Sequence, residues 1–107
     1  MMAEISITPI GTSQTSVSFY IARALEAISD MKDIRFQLNS MGTIMESEDA
    51  ENIFLATQIM MDTIHNLGVN RQSVILKIDS RRDKSASMSE KIKSVQQYMS
   101  ESPNFLE

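Results

Sequence analysis

Along residues 3–10, Ile5 and Ile7 alternate with Glu4, Ser6 and Thr8, the period of a strand with one buried face. Pro9 and Gly11 disrupt that alternation, and Thr12 to Ser16 form a polar turn. From Val17 the apolar spacing lengthens to Val17, Tyr20, Ile21, Ala24, Leu25 and Ile28, a helix stripe of period 3.6. Thr15 or Ser16 is the expected N-cap, because a hydroxyl there satisfies an otherwise unpaired backbone N–H. Ile34, Phe36 and Leu38 then alternate with Arg35, Gln37 and Asn39, Ser40 to Gly42 (SMG) reads as a tight turn, and TIMES continues as a strand. Residues 34–47 therefore read as a hairpin. Ser47 is expected to cap a long helix, with Glu48, Asp49 and Glu51 in its first turn at the positive end of the helix dipole. That helix carries the stripe Ile53, Ala56, Thr57, Met60, Ile64 and Leu67, and Gly68 ends it. In a fourth strand Val74, Leu76 and Ile78 oppose Ile75, Lys77, Asp79 and Arg81. After a charged loop, RDKSAS, Ser87 and Glu90 have the spacing of a capping box for a last helix. Its stripe is Met88, Ile92, Val95 and Met99, and Pro103 lies beyond its end.

This order predicts an α+β fold: a ferredoxin-like βαββαβ antiparallel sheet with two helices on one face and an added C-terminal helix. No linker, low-complexity tract or clear sequence repeat divides residues 1–107, so one domain is expected. The second sheet face would carry Glu4, Ser6, Thr8, Arg35, Gln37, Asn39, Thr43, Lys77, Asp79 and Arg81, interrupted by Ile10, Met41, Met45 and Ile75. Two readings of that face stand side by side. It is a solvated surface, or it is partly covered by another subunit, in which case Lys77 and Asp79 need partners or a wet pocket, since an unpaired ion is costly to bury.

Composition narrows the chemistry. The chain has 107 residues, 42% apolar and 22% charged, the mix of an ordinary soluble globular chain. A net charge of −4, from 10 basic and 14 acidic residues, disfavours nucleic-acid partners, which need a basic face. The beginning MMAEISITPIG lacks a basic, then apolar, signal pattern, and no run has a membrane span's length. With no cysteine there is neither disulfide nor thiol chemistry, and a cytoplasmic location is expected. His65 stands alone near a helix end, so a zinc site and a serine–histidine pair both lack members. Neither GxxxxGK[ST], GxGxxG nor GxSxG occurs. The nine methionines read as core filler, and Lys91 and Lys93 as a solvated helix face. Glu46, ending a strand just before a helix N-terminus, is either a solvated edge carboxylate or a functional one.

Three segments carry a resemblance: TPIGT…SVS (residues 8–18), MGTIMES (41–47) and KIDSRRDK (77–84). Each is short, but they occur in order with the right element between each pair. Together they resemble the small thiamine-binding protein family, whose repeated form is the YkoF-type thiamine/hydroxymethylpyrimidine-binding protein, over almost the whole chain. The resemblance implies a ferredoxin-like protein that assembles through its sheets as a homodimer or homotetramer. It also implies binding of thiamine or its pyrimidine near a subunit interface, with no catalytic activity and no cofactor. Carried residue by residue, it points to Ser18, Thr43, Glu46, Lys77 and Asp79, with Thr12 and Ser13 behind them. Hydroxyls and carboxylates can match an aminopyrimidine's donors and acceptors, and a carboxylate suits the thiazolium cation. Phe36, Phe19 and Tyr20 are the nearby aromatic rings that could stack. Two other readings remain: a structural or regulatory oligomer without a thiamine ligand, and an acylphosphatase-type enzyme on the same fold. The latter needs an arginine in the first loop, which has none.

Overall fold

A computed structural model describes residues 1–84 and 87–99. The elements run β1 (Met2–Ile10), α1 (Ser18–Ile28), β2 (Arg35–Asn39), β3 (Gly42–Glu46), α2 (Ala50–Asn66), β4 (Arg71–Asp79) and α3 (Met88–Gln96). The four strands lie in the order β2-β3-β1-β4, every neighbouring pair antiparallel. This is the interleaved pair of βαβ units of a ferredoxin-like fold, as the element order predicted.

Alternation explains the core. Ala3, Ile5 and Ile7 of β1 and Met45 of β3 point to one face, where Ala24 and Ile28 of α1 and Ile53, Ala56, Met60 and Ile64 of α2 close over them. Both helix stripes are those read from spacing alone. Leu67 is the exception and is half exposed at the C-cap of α2. Gly68 follows it with φ +94°, the left-handed turn that a glycine makes without strain. His65, in the last turn of α2, donates from Nδ1 to the Val69 carbonyl at 2.8 Å, a structural bond.

The β3 strand corrects one expectation. Thr43 and Met45 face the helices, not the open side, with Thr43 buried and Met45 fully enclosed. The reason is the hairpin register. Asn39 pairs with Gly42, so the turn is Ser40-Met41, Phe36 faces Met45, and Leu38 faces Thr43. Gly42 belongs to the strand because β3 and β1 approach closely there: a Cβ would lie 2.9 Å from the Ile5 carbonyl oxygen. The open face therefore carries Ile44 and Glu46 from β3, and Met41 sits exposed in the turn.

Helix starts differ by a residue or two from expectation. Val17, not Thr15 or Ser16, is the N-cap of α1, and Ser18 is its first residue and not one turn inside it. The Ser16 hydroxyl still meets a helix-end donor, accepting from the Ser18 N–H at 3.4 Å. Asp49, not Ser47, is the N-cap of α2, leaving Glu51 as the acid of its first turn. The Ser47 hydroxyl is drawn off to the Asp33 carbonyl instead, at 2.8 Å. On α3 the Ser87–Glu90 capping box is present as read. Its stripe meets no core: no residue of α3 is buried, and Ile92 and Val95 are largely exposed. Ser85, Ala86 and Pro103 lie outside the described residues.

The register correction makes opposite demands on two methionines. Met45→Ala is expected to cost about 2–5 kcal/mol by urea denaturation, as for other buried large-to-small changes. Met41→Ala should stay within about 0.5 kcal/mol of the parent. Equal effects would mean the register is shifted.

Candidate functional site

In this antiparallel order β1 and β2 begin where β3 and β4 end. The starts of β1 and β2 and the ends of β3 and β4 therefore gather at one end of the sheet, and α3 begins beside them. There they enclose a cleft of ≈ 700 Å³, lined by Met2, Arg35, Glu46, Ser47, Asp79 and Lys91 among others. That volume is within the usual range of small-molecule sites.

A single cross-strand row forms part of its wall. Met2 on β1 stands opposite Glu46 of β3 on one side and opposite Asp79 of β4 on the other, and Arg35 of β2 stands opposite Glu46. Partners in register share a face, so Arg35, Glu46, Met2 and Asp79 all project from the open side. Strand spacing puts the two acidic backbones roughly 10 Å apart with the Met2 side chain between them. The next row has Gln37, Ile44, Glu4 and Lys77.

The Glu46 side chain is only 14% exposed, so it is not the solvated edge carboxylate of one earlier reading. Its Oε1 accepts from Arg35 at 3.4 Å and its Oε2 from the Met88 backbone N–H at 2.8 Å. The second bond places a carboxylate at the first turn of α3, where the helix dipole favours negative charge. Asp79, half exposed, forms an ion pair with Lys91 of α3. Lys91 is thus not simply a solvated cation, and nothing in local spacing announced either long-range bond.

Below this row the backbone is held by Ser47, a buried hydroxyl. It donates to the Asp33 carbonyl at 2.8 Å and accepts from the Asp49 N–H at 3.2 Å and the Asn52 amide at 3.0 Å. Asp33 adopts φ +63°, a left-handed conformation that Asp tolerates better than most residues. This pinned turn delivers Arg35 to the site. On the rim, Arg81 is committed to Asp83 by two parallel bonds of 2.6 and 2.7 Å. That fork lowers the Asp83 pKa to about 2. Among the described residues, no group of three or more potential ligating side chains could hold a metal ion.

Of the residues singled out by sequence, Glu46 and Asp79 meet in the cleft. Lys77 projects from the same face one row away, opposite Glu4. Thr43 points into the core. Thr12, Ser13 and Ser18 lie past the other end of β1, about 27 Å from Met2 along a strand of this length. There the Thr12 hydroxyl donates to the Gln14 carbonyl at 2.7 Å, and the Ser16 hydroxyl donates to Ser18 Oγ at 3.3 Å. Phe36 packs against the core, and Phe19 is exposed, edge-on to Tyr20. Sequence reasoning missed Met2, Arg35, Ser47 and Lys91. Their common signal is position at a strand or helix end on one side of the antiparallel layout.

Comparison with known proteins shows what the chain as a whole is similar to. The profile of a family described as thiamine-binding protein matches residues 3–96. A UPF0045 protein of Methanothermobacter thermautotrophicus is 35% identical over 95 residues, covering 89% of this chain and 95% of its own. The UPF0045 protein YqgV of Bacillus subtilis is 34% identical over 101 residues, covering 92% and 96%. The crystal structure of a Methanocaldococcus jannaschii protein, 35% identical, superposes with a TM-score of 0.80 over 90% of this chain and 95% of that one. A Thermotoga maritima protein named for thiamine biosynthesis/salvage shares the fold, with a TM-score of 0.71 at 18% identity, over 88% of this chain and 96% of its own.

The Arg81–Asp83 fork has a measurable consequence. Asp83 has a depressed folded pKa, so the pair is intact above its ordinary value near 3.8 and is lost as pH falls through about 2. Carboxyl carbon NMR of Asp83 should titrate near 2 in the parent and return toward 3.8 in Arg81→Gln. An ordinary midpoint in the parent would show that Arg81 is not tied to this carboxylate.

Proposed function

The chain belongs to the thiamine-binding protein family, and from that premise we propose a non-catalytic binding protein for thiamine or its hydroxymethylpyrimidine moiety. The ligand lies near a subunit interface. The observation that carries this reading is the row in which Glu46 and Asp79 flank Met2 at the wall of the cleft. Two carboxylates on either side of an apolar, polarisable side chain suit a flat cationic ring: the anions balance its charge and the thioether supplies a contact surface. No helix among the described residues is long and apolar enough to cross a membrane. A cytoplasmic location goes with this reading.

The interface placement has its own support. In one chain the hydroxyl loop with Thr12, Ser13 and Ser18 is too far from Glu46 and Asp79 to touch the same small molecule. A two-fold stacking of open faces, with strands running oppositely, brings one copy's loop over the other's carboxylates. Isologous pairing of this sort is the commonest route to a homodimer, and a second such contact gives a homotetramer. The exposed Ile75 and Ile10 on that face are apolar groups a partner would cover. Lys77, in the row beside the cleft, would contact ligand or the partner copy.

Thiamine has about 18 heavy atoms, and about 0.3 kcal/mol for each gives about 5 kcal/mol of binding free energy, between millimolar and micromolar affinity. Calorimetric titration should show that range for the parent protein. Glu46→Gln should weaken thiamine more than the uncharged hydroxymethylpyrimidine, whereas Thr43→Val, altered on the core side, should leave both unchanged. Light scattering at micromolar concentration should give a dimer or tetramer. No heat at millimolar ligand from an assembled protein would favour a structural oligomer, and a monomer would remove the interface site.

A further inference from the structure

The cleft already holds internal positive charge. Both carboxylates that flank Met2 are engaged by α3: Glu46 Oε2 accepts from the Met88 N–H at 2.8 Å, and Asp79 pairs with the Lys91 ammonium. The first carries the partial positive charge of a helix N-terminus and the second a full charge. These are the two places where the positive ring of a bound thiamine would be balanced.

They are also what holds α3 to the sheet. Among the described residues, no other hydrogen bond or ion pair joins α3 to a strand, and none of its side chains is buried. An isolated helix of nine residues is marginal in water. Its docked position therefore depends on polar anchors that a ligand can replace, not on a packed face that would resist removal. We infer that α3 is an internal competitor for the cationic ligand: thiamine entering between Glu46 and Asp79 takes over their charge balance and undocks α3. The inference rests on reading the cleft as a thiamine site, and it assigns that site a built-in regulator.

Competition has two reciprocal signs. For binding that requires an undocked helix, the apparent dissociation constant is the intrinsic one divided by the undocked fraction, so loosening α3 tightens binding. Ligand in turn must shift α3 toward the undocked state by the same coupling. An exposed ion pair of this type corresponds to about a two- to fivefold change in an equilibrium constant. Lys91→Met should therefore lower the thiamine dissociation constant about two- to fivefold. Lys93→Met removes an equal charge from the same helix without touching either carboxylate and should retain the parent value.

The second arm reads the helix itself. The sequence has no cysteine, so Val95→Cys takes a single nitroxide label at an exposed position on α3. Adding thiamine should raise the label's mobility in step with calorimetric saturation. If thiamine binds while the label is unmoved and Lys91→Met binds equally or more weakly, α3 is a fixed wall of the site and the competition is wrong. If neither the parent nor Lys91→Met gives heat with millimolar thiamine, the thiamine reading fails and takes this inference with it.

Discussion

β1 is hydrogen-bonded along both edges, to β3 over Met2–Ile5 and to β4 over its whole length. A strand so placed cannot slip by one residue, because Ala3, Ile5 and Ile7 would leave the core and Glu4, Ser6 and Thr8 would enter it. That constraint seats Met2 between Glu46 and Asp79. It also demands the close approach of β3 at Gly42, and it sends the hydroxyl loop to the opposite end of the sheet. The site follows from the register of one strand.

The polar groups around the cleft are supported from different parts of the chain. Arg35 comes from the turn that Ser47 pins, Met88 and Lys91 from α3, and the carboxylates from the ends of β3 and β4. A carboxylate as enclosed as Glu46 needs partners, since a charge withdrawn from water without them costs several kcal/mol. Here the partners are a guanidinium and a helix N-terminus, one exposed and one carried on a helix with no buried face. The apolar core beneath is continuous, whereas the polar layer above it is held by hydrogen bonds and ion pairs.

Distance also separates the candidate site residues. The hydroxyl loop and the carboxylate row belong to the two ends of β1, and the sheet between them presents Ser6, Ile75, Lys77 and Ile44 outward. Such a face is neither uniformly polar nor uniformly apolar. Its isoleucines favour cover, while Glu4 and Lys77, opposite one another in register, limit the cost of it.

Local periodicity was enough to read the four strands, the three helices, the α3 capping box and most of the core, because those depend on neighbours two to four residues apart. Glu46 stood out by ending a strand just before a helix N-terminus and Asp79 by sharing the open face with Lys77, and the resemblance to a family then pointed to both as site residues. In TIMES the periodicity put Thr43 and Met45 on the open face, because Ile44 and Met45 are both apolar and either alternation is self-consistent. The pairing of Asn39 with Gly42, a contact across the hairpin, decided that Thr43 and Met45 turn inward. The stripe on α3 promised a packed helix, yet a stripe records only that one face is apolar, not that anything covers it. That Lys91 would find Asp79, and that Met88 would find Glu46 42 residues away, were matters of tertiary structure alone. Ion pairs and helix-end bonds between distant segments leave no periodic trace in a chain, and only the fold brings their members within reach.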